Sequence, residues 1–467
     1  MIILGTNSIK DTGYNVANSA RFDDNAYMSQ TWGSSGNRRT WTLSMWIKYS
    51  GLNNCRIFSI GDDASNTILD FFFTSGDLRV QDTQSGSETL EFRTDQVFKD
   101  PSAWSHLVFA CDTTQGTEGN RFKIYHNGTQ ITSFSTETYP TQNLETLMNH
   151  TTGAATIGAR AVTQSGTEFD GYMAEVVVLD GTAASPTSFG EFDEDSGIWK
   201  PINVSGLTFG TNGFYLDFED SSALGNDANG GTDFTVANLT AIDQSTDTCT
   251  NNFATLNPLD NYYAASTFSE GNCKIVTHSG NMSYNTGTIA VSTGKWYVEA
   301  KVIDNADSNY HHLGITETPT TATSNWIGLS ATHYGLTGYD GKIWRNNSGT
   351  AYGVSTTTGD IVGMYIDLDN NKLYFAKNGT LMNSGTGHSI TAAASTANGY
   401  YLIAYGDWEN LSTATWEVNF GNPTYTGTDQ TDANGYGSFE YNPSSGTFDS
   451  ASKDFLAICT KNLAEYG

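Results

Sequence analysis

Residues able to do chemistry are few in this chain. Glu191, Asp193 and Glu194 come closest to the carboxylate pair that a retaining glycosidase sets about 5 Å apart across a glycosidic bond. They lie in FGEFDEDSGIWKP, among turn formers and not among alternating apolar residues, so the stretch reads as a loop and no catalytic residue is assigned. No Ser-His-Asp, HExxH or nucleophile-elbow pattern occurs, and His311-His312 lacks a third ligand at a useful spacing for zinc. Oxygen ligands for a hard cation are better represented. Asp217, Glu219, Asp220, Asn226 and Asp227 fall in one acidic loop, with Asp217, Asp220 and Asp227 the calcium candidates. Asp367, Asp369 and Asn371 begin like an EF-hand loop but lack its Gly and distal Glu, and read as a hairpin turn.

Recognition is a stronger theme than catalysis. Ala331 to Gly353, ATHYGLTGYDGKIWRNNSGTAYG, gathers aromatic rings among glycines and amides, the mixture that lays flat faces and planar polar groups against a sugar. Tyr339, Trp344, Arg345 and His333 are the candidate ligand contacts there. The five cysteines are scattered without CxxC spacing. Cys249 and Cys273 are the one pair worth weighing, and reduced, packed thiols are the expectation.

The elements that must position these residues are strands. TWTLSMWIKYS puts Trp41, Leu43, Met45 and Ile47 on one face and Thr42, Ser44, Trp46 and Lys48 on the other. AWSHLVFACD and YMAEVVVLDG follow in the same style, as do GKWYVEAKVI, GDIVGMYIDLD and GYYLIAYGD later. One short helix or turn is expected near Ser185 to Phe192. The phrases RFKIYHNGTQI and KLYFAKNGTLM repeat one design, an alternating strand running into Asn-Gly, at Asn127-Gly128 and Asn378-Gly379. Asn-Gly readily takes positive φ at both centres of a two-residue turn, so each is a β-hairpin tip, and their sequons carry no weight as glycosylation sites. The balance of 50 acids against 22 Lys and Arg gives a net charge of -28, which repels nucleic acid and anionic lipid. The longest apolar runs, such as Val176 to Leu179, are far too short to span a bilayer, and MIILGTNSIK lacks the features of a secretory signal.

Several stretches resemble known families. SARFDDNAYMS, TWTLSMWIK, AWSHLVFACDTT, KIYHNGTQI, ATIGAR and FDGYMAEVVVLDGTAASP together resemble the LamG-like, concanavalin A-like lectin and glucanase superfamily. GKWYVEAKV, LGITE, GDIVGMYIDLDNNKLYFAKNG and WEVNFGNP, in that order, look like a SPRY domain. The first resemblance implies a jelly-roll sandwich that in some members holds loop calcium, and in glucanases an E-x-D-x-(x)-E strand that Glu191 to Glu194 does not reproduce. The second implies a related sandwich that binds through its loops. The expectation is an all-β chain of two concanavalin-like antiparallel β-sandwiches in tandem. Its expected parts are an N-terminal arm at 1–18, a LamG-like sandwich at 19–250, a SPRY-like sandwich at 251–423 and a C-terminal docking tail at 424–467. The pair, with TNGFYLDFEDSSALGNDANGG, NNFATLNPL and KDFLAICTKNL, resembles structural fibre or appendage proteins of bacteriophage virions. That implies a non-enzymatic, homo-oligomeric virion-surface protein, made in the bacterial cytoplasm and released by lysis. Its implied partners are other virion proteins and a host-surface glycan or receptor, without nucleic acid, membrane insertion or a cofactor other than calcium. A purely architectural capsid or fibre protein is the alternative, and a glycan depolymerase the third.

Overall fold

Alternating β-branched and aromatic residues, closed every few positions by Gly, Asn, Asp or Ser, fold this chain into short antiparallel strands. A computed structural model describes residues 9–23, 25–51, 54–62, 67–151, 153–161, 166–261, 263–305, 309–319, 324–408, 413–449 and 453–467. Residues 12–250 form one unit, and residues 251–467, joined by the described residues before Thr12, form another. Each is a β-sandwich, and among the described residues the one α-helix is Thr460–Tyr466.

In the first unit, one sheet runs in the order Thr129–Gln130, Phe122–His126, Ser105–Asp112, Thr40–Tyr49, Gly171–Asp180, Ser19–Phe22, Gln244–Ser245. Phe214–Leu216 adds beside Gly171–Asp180. The facing sheet runs Phe134–Thr138, Ser87–Val97, Asp77–Gln84, Thr67–Thr74, Cys55–Asp62, Ala154–Ile157, Tyr27–Gln30, Thr235–Ala237. Inward residues meet in an aromatic core, with Trp41 lying 6.1 Å from both Phe71 and Phe122, and Phe71 4.7 Å from Phe109. The other face of Thr40–Tyr49 is buried as well. Phe189, Val204 and Phe209 pack over Val108, Val177 and Leu179, while Val16 and Trp199 cover Trp46, Trp104 and Tyr172. Under that cover Lys48 Nζ lies 2.7 Å from Asp247 Oδ2, both fully buried, and Trp104 Nε1 donates to the other carboxylate oxygen at 2.9 Å.

The stretch expected as a single short helix or turn is a 3-10 turn, Pro186–Ser188, followed by a strand, Gly190–Phe192, which pairs with Trp199–Pro201. Pro186 opens the turn but three residues cannot propagate a helix, and the edge-on packing of Phe192 on Trp199, 4.8 Å apart, supports the strand pair.

In the second unit, one sheet runs Thr267–Ser269, Lys274–Val276, Thr415–Asn419, Lys295–Asp304, Ile361–Asp367, Lys372–Lys377, Thr380–Leu381. It faces a sheet of Ser283–Val291, Tyr401–Asp407, His311–Thr316, Tyr334–Thr337, Lys342–Arg345 and Ser348–Ala351. The tail after Pro423, expected as a docking segment, is spent on its own sandwich. Phe439, Phe448 and Phe455 pack on Tyr297, Tyr365 and Tyr374 across the first sheet's outer face. Leu456–Ala457 pairs in parallel with Trp296–Tyr297. Glu299 fixes the tail by accepting hydrogen bonds from the backbone N–H groups of Glu440 (2.9 Å) and Tyr441 (2.8 Å) and from the Tyr297 hydroxyl (2.8 Å). Likewise, part of the expected N-terminal arm lies on the first unit, where Val16 N donates to Thr250 Oγ1 at 3.1 Å. All five cysteines are free, so Cys249 and Cys273 do not pair.

Both repeated phrases form the same hairpin. Asn127 and Gly128 have φ of 46° and 77°, Asn378 and Gly379 of 49° and 74°. In each, the Asn side chain also ties the tip to the preceding strand. Asn127 Oδ1 accepts from His106 N at 2.7 Å, and Asn378 Oδ1 from Ile361 N at 2.9 Å.

Candidate functional site

The candidate ligand residues sit at one end of the six-stranded sheet of the second unit, and the structure separates them. Trp344 and Arg345 are neighbours on the strand Lys342–Arg345, so their side chains leave opposite faces. Arg345 is occupied: its Nε donates to Ala331 O at 2.6 Å, and its guanidinium lies 5.0 Å over the Tyr334 ring. His333 is only 1% exposed, which removes it from the surface a ligand would meet. Its Nδ1 lies 3.1 Å from Trp326 O, and because a carbonyl can only accept, Nδ1 carries the proton there. Burial holds its pKa below the usual histidine range. His333 therefore positions Trp326. Alternation within Lys342–Arg345 was readable and would have split Trp344 from Arg345; the burial of His333 depends on Tyr284, whose ring meets it edge-on at 5.4 Å from a distant strand.

What the structure gathers instead is an aromatic cluster. Trp344 lies 5.3 Å from Trp408 and 5.5 Å from Trp326, and Trp326 stacks on Trp408 at 5.1 Å. Tyr310 continues the series, 5.5 Å from Trp408 and stacked at 5.3 Å on Tyr339, which is 51% exposed. Gly328 makes this packing possible, since a Cβ there would sit 2.4 Å from the Trp326 ring and 2.6 Å from Trp344 Cβ. Trp408, Tyr310 and Trp326 lie outside the stretch Ala331 to Gly353 and reach it from other segments, Trp408 just after Tyr401–Asp407 and Tyr310 just before His311–Thr316, so nothing local in the sequence joined them to it. Charges beside the cluster are paired internally, as in Asp340 with Lys342 at 2.7 Å.

The other candidates do not converge. Asp227 uses its carboxylate to staple its own loop, accepting from Tyr215 N, Asn229 N and Gly231 N at 2.9, 3.0 and 3.1 Å. Asp220 Oδ1 accepts from Ser222 and Asp217 Oδ1 from Glu219 N, each closing a local turn. Among the described residues no set of three or more His, Cys, Asp or Glu is arranged to hold a metal. Glu191, expected in a loop, lies instead on the strand Gly190–Phe192 opposite Lys200, because Phe192 packs on Trp199 and closes the strand pair, and Asp193 follows at its end; Lys200 Nζ is within reach of both, at 3.5 and 3.2 Å. Hydrogen bonds from Ser196 and this lysine lower the Asp193 pKa to about 2, unsuited to a general acid.

Two buried groups of the first unit have catalytic types without catalytic arrangement. His106 Nε2 lies 2.8 Å from Ser44 Oγ, but its Nδ1 accepts from Trp199 Nε1 at 3.0 Å. An indole only donates, so the neutral ring carries its proton on Nε2 and cannot take one from Ser44. Burial pushes its pKa down to about 3. Glu175, 5% exposed and at φ 49°, accepts from the Tyr215 hydroxyl at 2.9 Å. Burial raises its pKa to about 7.

Comparison with known proteins finds one family match within each unit. Residues 22–187 match the family described as the concanavalin A-like lectin/glucanases superfamily, and residues 295–403 match the SPRY domain. The chain thus carries a LamG-like, concanavalin-type domain followed by a SPRY domain. It is similar to the Ran-binding proteins 9/10 homolog of Drosophila melanogaster, 31% identical over 104 residues, covering 22% of this chain and 11% of that one. It is also similar to Ran-binding protein 9 of Xenopus tropicalis, 31% identical over 96 residues, 20% of this chain and 17% of that one. Human Ran-binding protein 9 is 30% identical over 95 residues, 20% of this chain and 13% of that one. The match therefore spans less than a fifth of these relatives' own length. Among solved structures, the SPRY domain of human HERC1 aligns with a TM-score of 0.28 at 14% identity, covering 35% of this chain and 96% of that one.

Proposed function

We propose that this chain is a non-enzymatic recognition protein on the surface of a bacteriophage virion, as a tail or head fibre or appendage. It adheres to a host-surface glycan or receptor through the aromatic end of the SPRY-type sandwich. The observation that carries this reading is the cluster of Tyr339, Tyr310, Trp408 and Trp344, in which half-buried rings are held at one end of a rigid sandwich beside an exposed tyrosine. Aromatic faces of this kind recognise by stacking, and many copies on one particle turn weak contacts into firm attachment. The virion setting is supported by the resemblance of the paired domains and their joining sequences to phage structural proteins. Relatives named for binding Ran support recognition, not chemistry, as the work of a SPRY sandwich.

The test is a glycan and receptor array probed with the intact chain, beside labelling of phage particles for electron microscopy. Binding that disappears in Trp344→Ala, with label on the particle surface, is the expected result. Surface label without any array binding would instead leave an architectural protein touching only its virion neighbours. Sugar release from host polysaccharide, lost in Glu191→Gln, would overturn the non-enzymatic reading.

A further inference from the structure

The six-stranded sheet of the SPRY-type sandwich ends in Ser348–Ala351, a strand whose four residues are all exposed. Natural edges are usually guarded by charge, proline or a bulge. This one carries none: from Asn346 to Gly359 the sequence NNSGTAYGVSTTTG contains no charged residue and no proline. Its register fixes what it offers. Asn346 and Asn347, at φ of 50° and 55°, form a two-residue turn, so Arg345 and Ser348 are a hydrogen-bonded pair, as are Ile343 and Thr350 two residues on. Gly349 and Ala351 must then point their N–H and C=O groups outward. Among the described residues no strand lies beyond them.

We infer that this edge pairs with the same edge of a second copy, antiparallel about a two-fold axis at Thr350. The register is self-complementary. Gly349 of each chain meets Ala351 of the other, and the two exchange both N–H···O bonds, while the Thr350 side chains face each other across the axis. Small side chains at Gly349 and Ala351 allow the approach, and the absence of charge removes the local repulsion that a chain of net charge -28 otherwise brings to its own copy. The strand's end supplies apolar contact as well. Beside it lies a groove of about 530 Å³ whose apolar side is Tyr352, Val354, Leu381 and Met382, with Val354 57% exposed, and whose polar side is Lys377 and Asn378, the lysine already paired with Asp360 at 2.9 Å. The same register carries the second copy's Asn346-Asn347 turn toward Gly353 and Val354 at the mouth of this groove. Trp344 pairs across from Gly349, so the two-fold sets both aromatic clusters on one face of a continuous sheet. The inference stands whatever the clusters bind.

Sedimentation equilibrium of the intact chain over a wide concentration range tests it, with hydrogen exchange read at Gly349 and Ala351. The expected result is a monomer–dimer equilibrium that tightens with added salt, and amide protection at these two residues that rises with concentration. Ala351→Pro removes one outward donor without touching the hairpin's own bonds, and Thr350→Lys sets like charges face to face on the axis. Each should weaken dimerisation at least about tenfold while melting like wild type. Should one variant fail to fold, the other decides. A chain that stays monomeric throughout, assembles as a trimer, or dimerises undiminished in a folded variant overturns the inference.

Discussion

Glu175 shows how one residue can set a pH dependence. Burial is the main cause of its raised pKa, with Asp217 and Glu219 adding to it and the Tyr215 and Tyr14 hydroxyls opposing. In the unfolded chain the carboxyl ionises near 4.5, whereas in the fold it holds its proton until about 7. The folded state then binds more protons across that interval, so stability is greatest below it and falls as pH rises through it, levelling off above the folded pKa. The drop attributable to this group is about 3 kcal/mol over the whole interval, and urea unfolding at pH 5 and pH 8 should show about 2.5 kcal/mol of it in wild type and not in Glu175→Gln. At the recognition end, Trp344→Ala should weaken ligand binding at least about tenfold, whereas Arg345→Lys, which alters a side chain already held by Ala331 O, should change it little. Titration calorimetry with an array-positive ligand checks both. Residue types here were legible and their company was not: Trp344 stood out in the sequence, but Trp408 and Tyr310 join it only through folding.

Elements were read more securely, because period-two alternation and Asn-Gly turns are local signals. The two hairpins place their asparagines alike, each bonding both backbone groups of one residue on the preceding strand, His106 or Ile361. Gly379→Ala should destabilise the second unit by about 1 kcal/mol or more, since the turn needs positive φ there and a Cβ would stand 2.5 Å from the Tyr441 ring. Thermal melting measures this. The layer over each sandwich was not legible. Thr42, Ser44 and Lys48 look like solvent-facing residues, yet long connections fold back and bury them, and the partners that make this tolerable, such as Asp247 for Lys48, are far away in sequence. The tail is the same case. Glu299→Ala strands the N–H groups of Glu440 and Tyr441, at a cost of about 3 kcal/mol, and should open residues 424–455 to chymotrypsin at Tyr436 and Tyr441 while the wild type resists.

At the scale of the whole molecule, each unit has its own core, the first around Trp41 and Phe71, the second around Trp296 and Trp416. Fragments 12–250 and 251–467 should each melt cooperatively when expressed alone, as circular dichroism would record. The order of the two domains was visible in the sequence as two successive family patterns, while the return of Phe439, Phe448 and Phe455 onto the second sandwich was not, because these apolar residues are spread too thinly to show a period.

That return has a bearing on biosynthesis. Leu456 and Ala457 lie against Trp296 and Tyr297, some 160 positions earlier, and Ala254 N donates to Ile458 O at 3.0 Å. A ribosome still translating residue 430 has therefore made every tyrosine of that outer face with none of the phenylalanines that cover it. Completion of this unit must wait until the nascent chain has emerged past Leu463, and a pause or premature stop in that final stretch should hand chaperones a nearly finished sandwich with a sticky back.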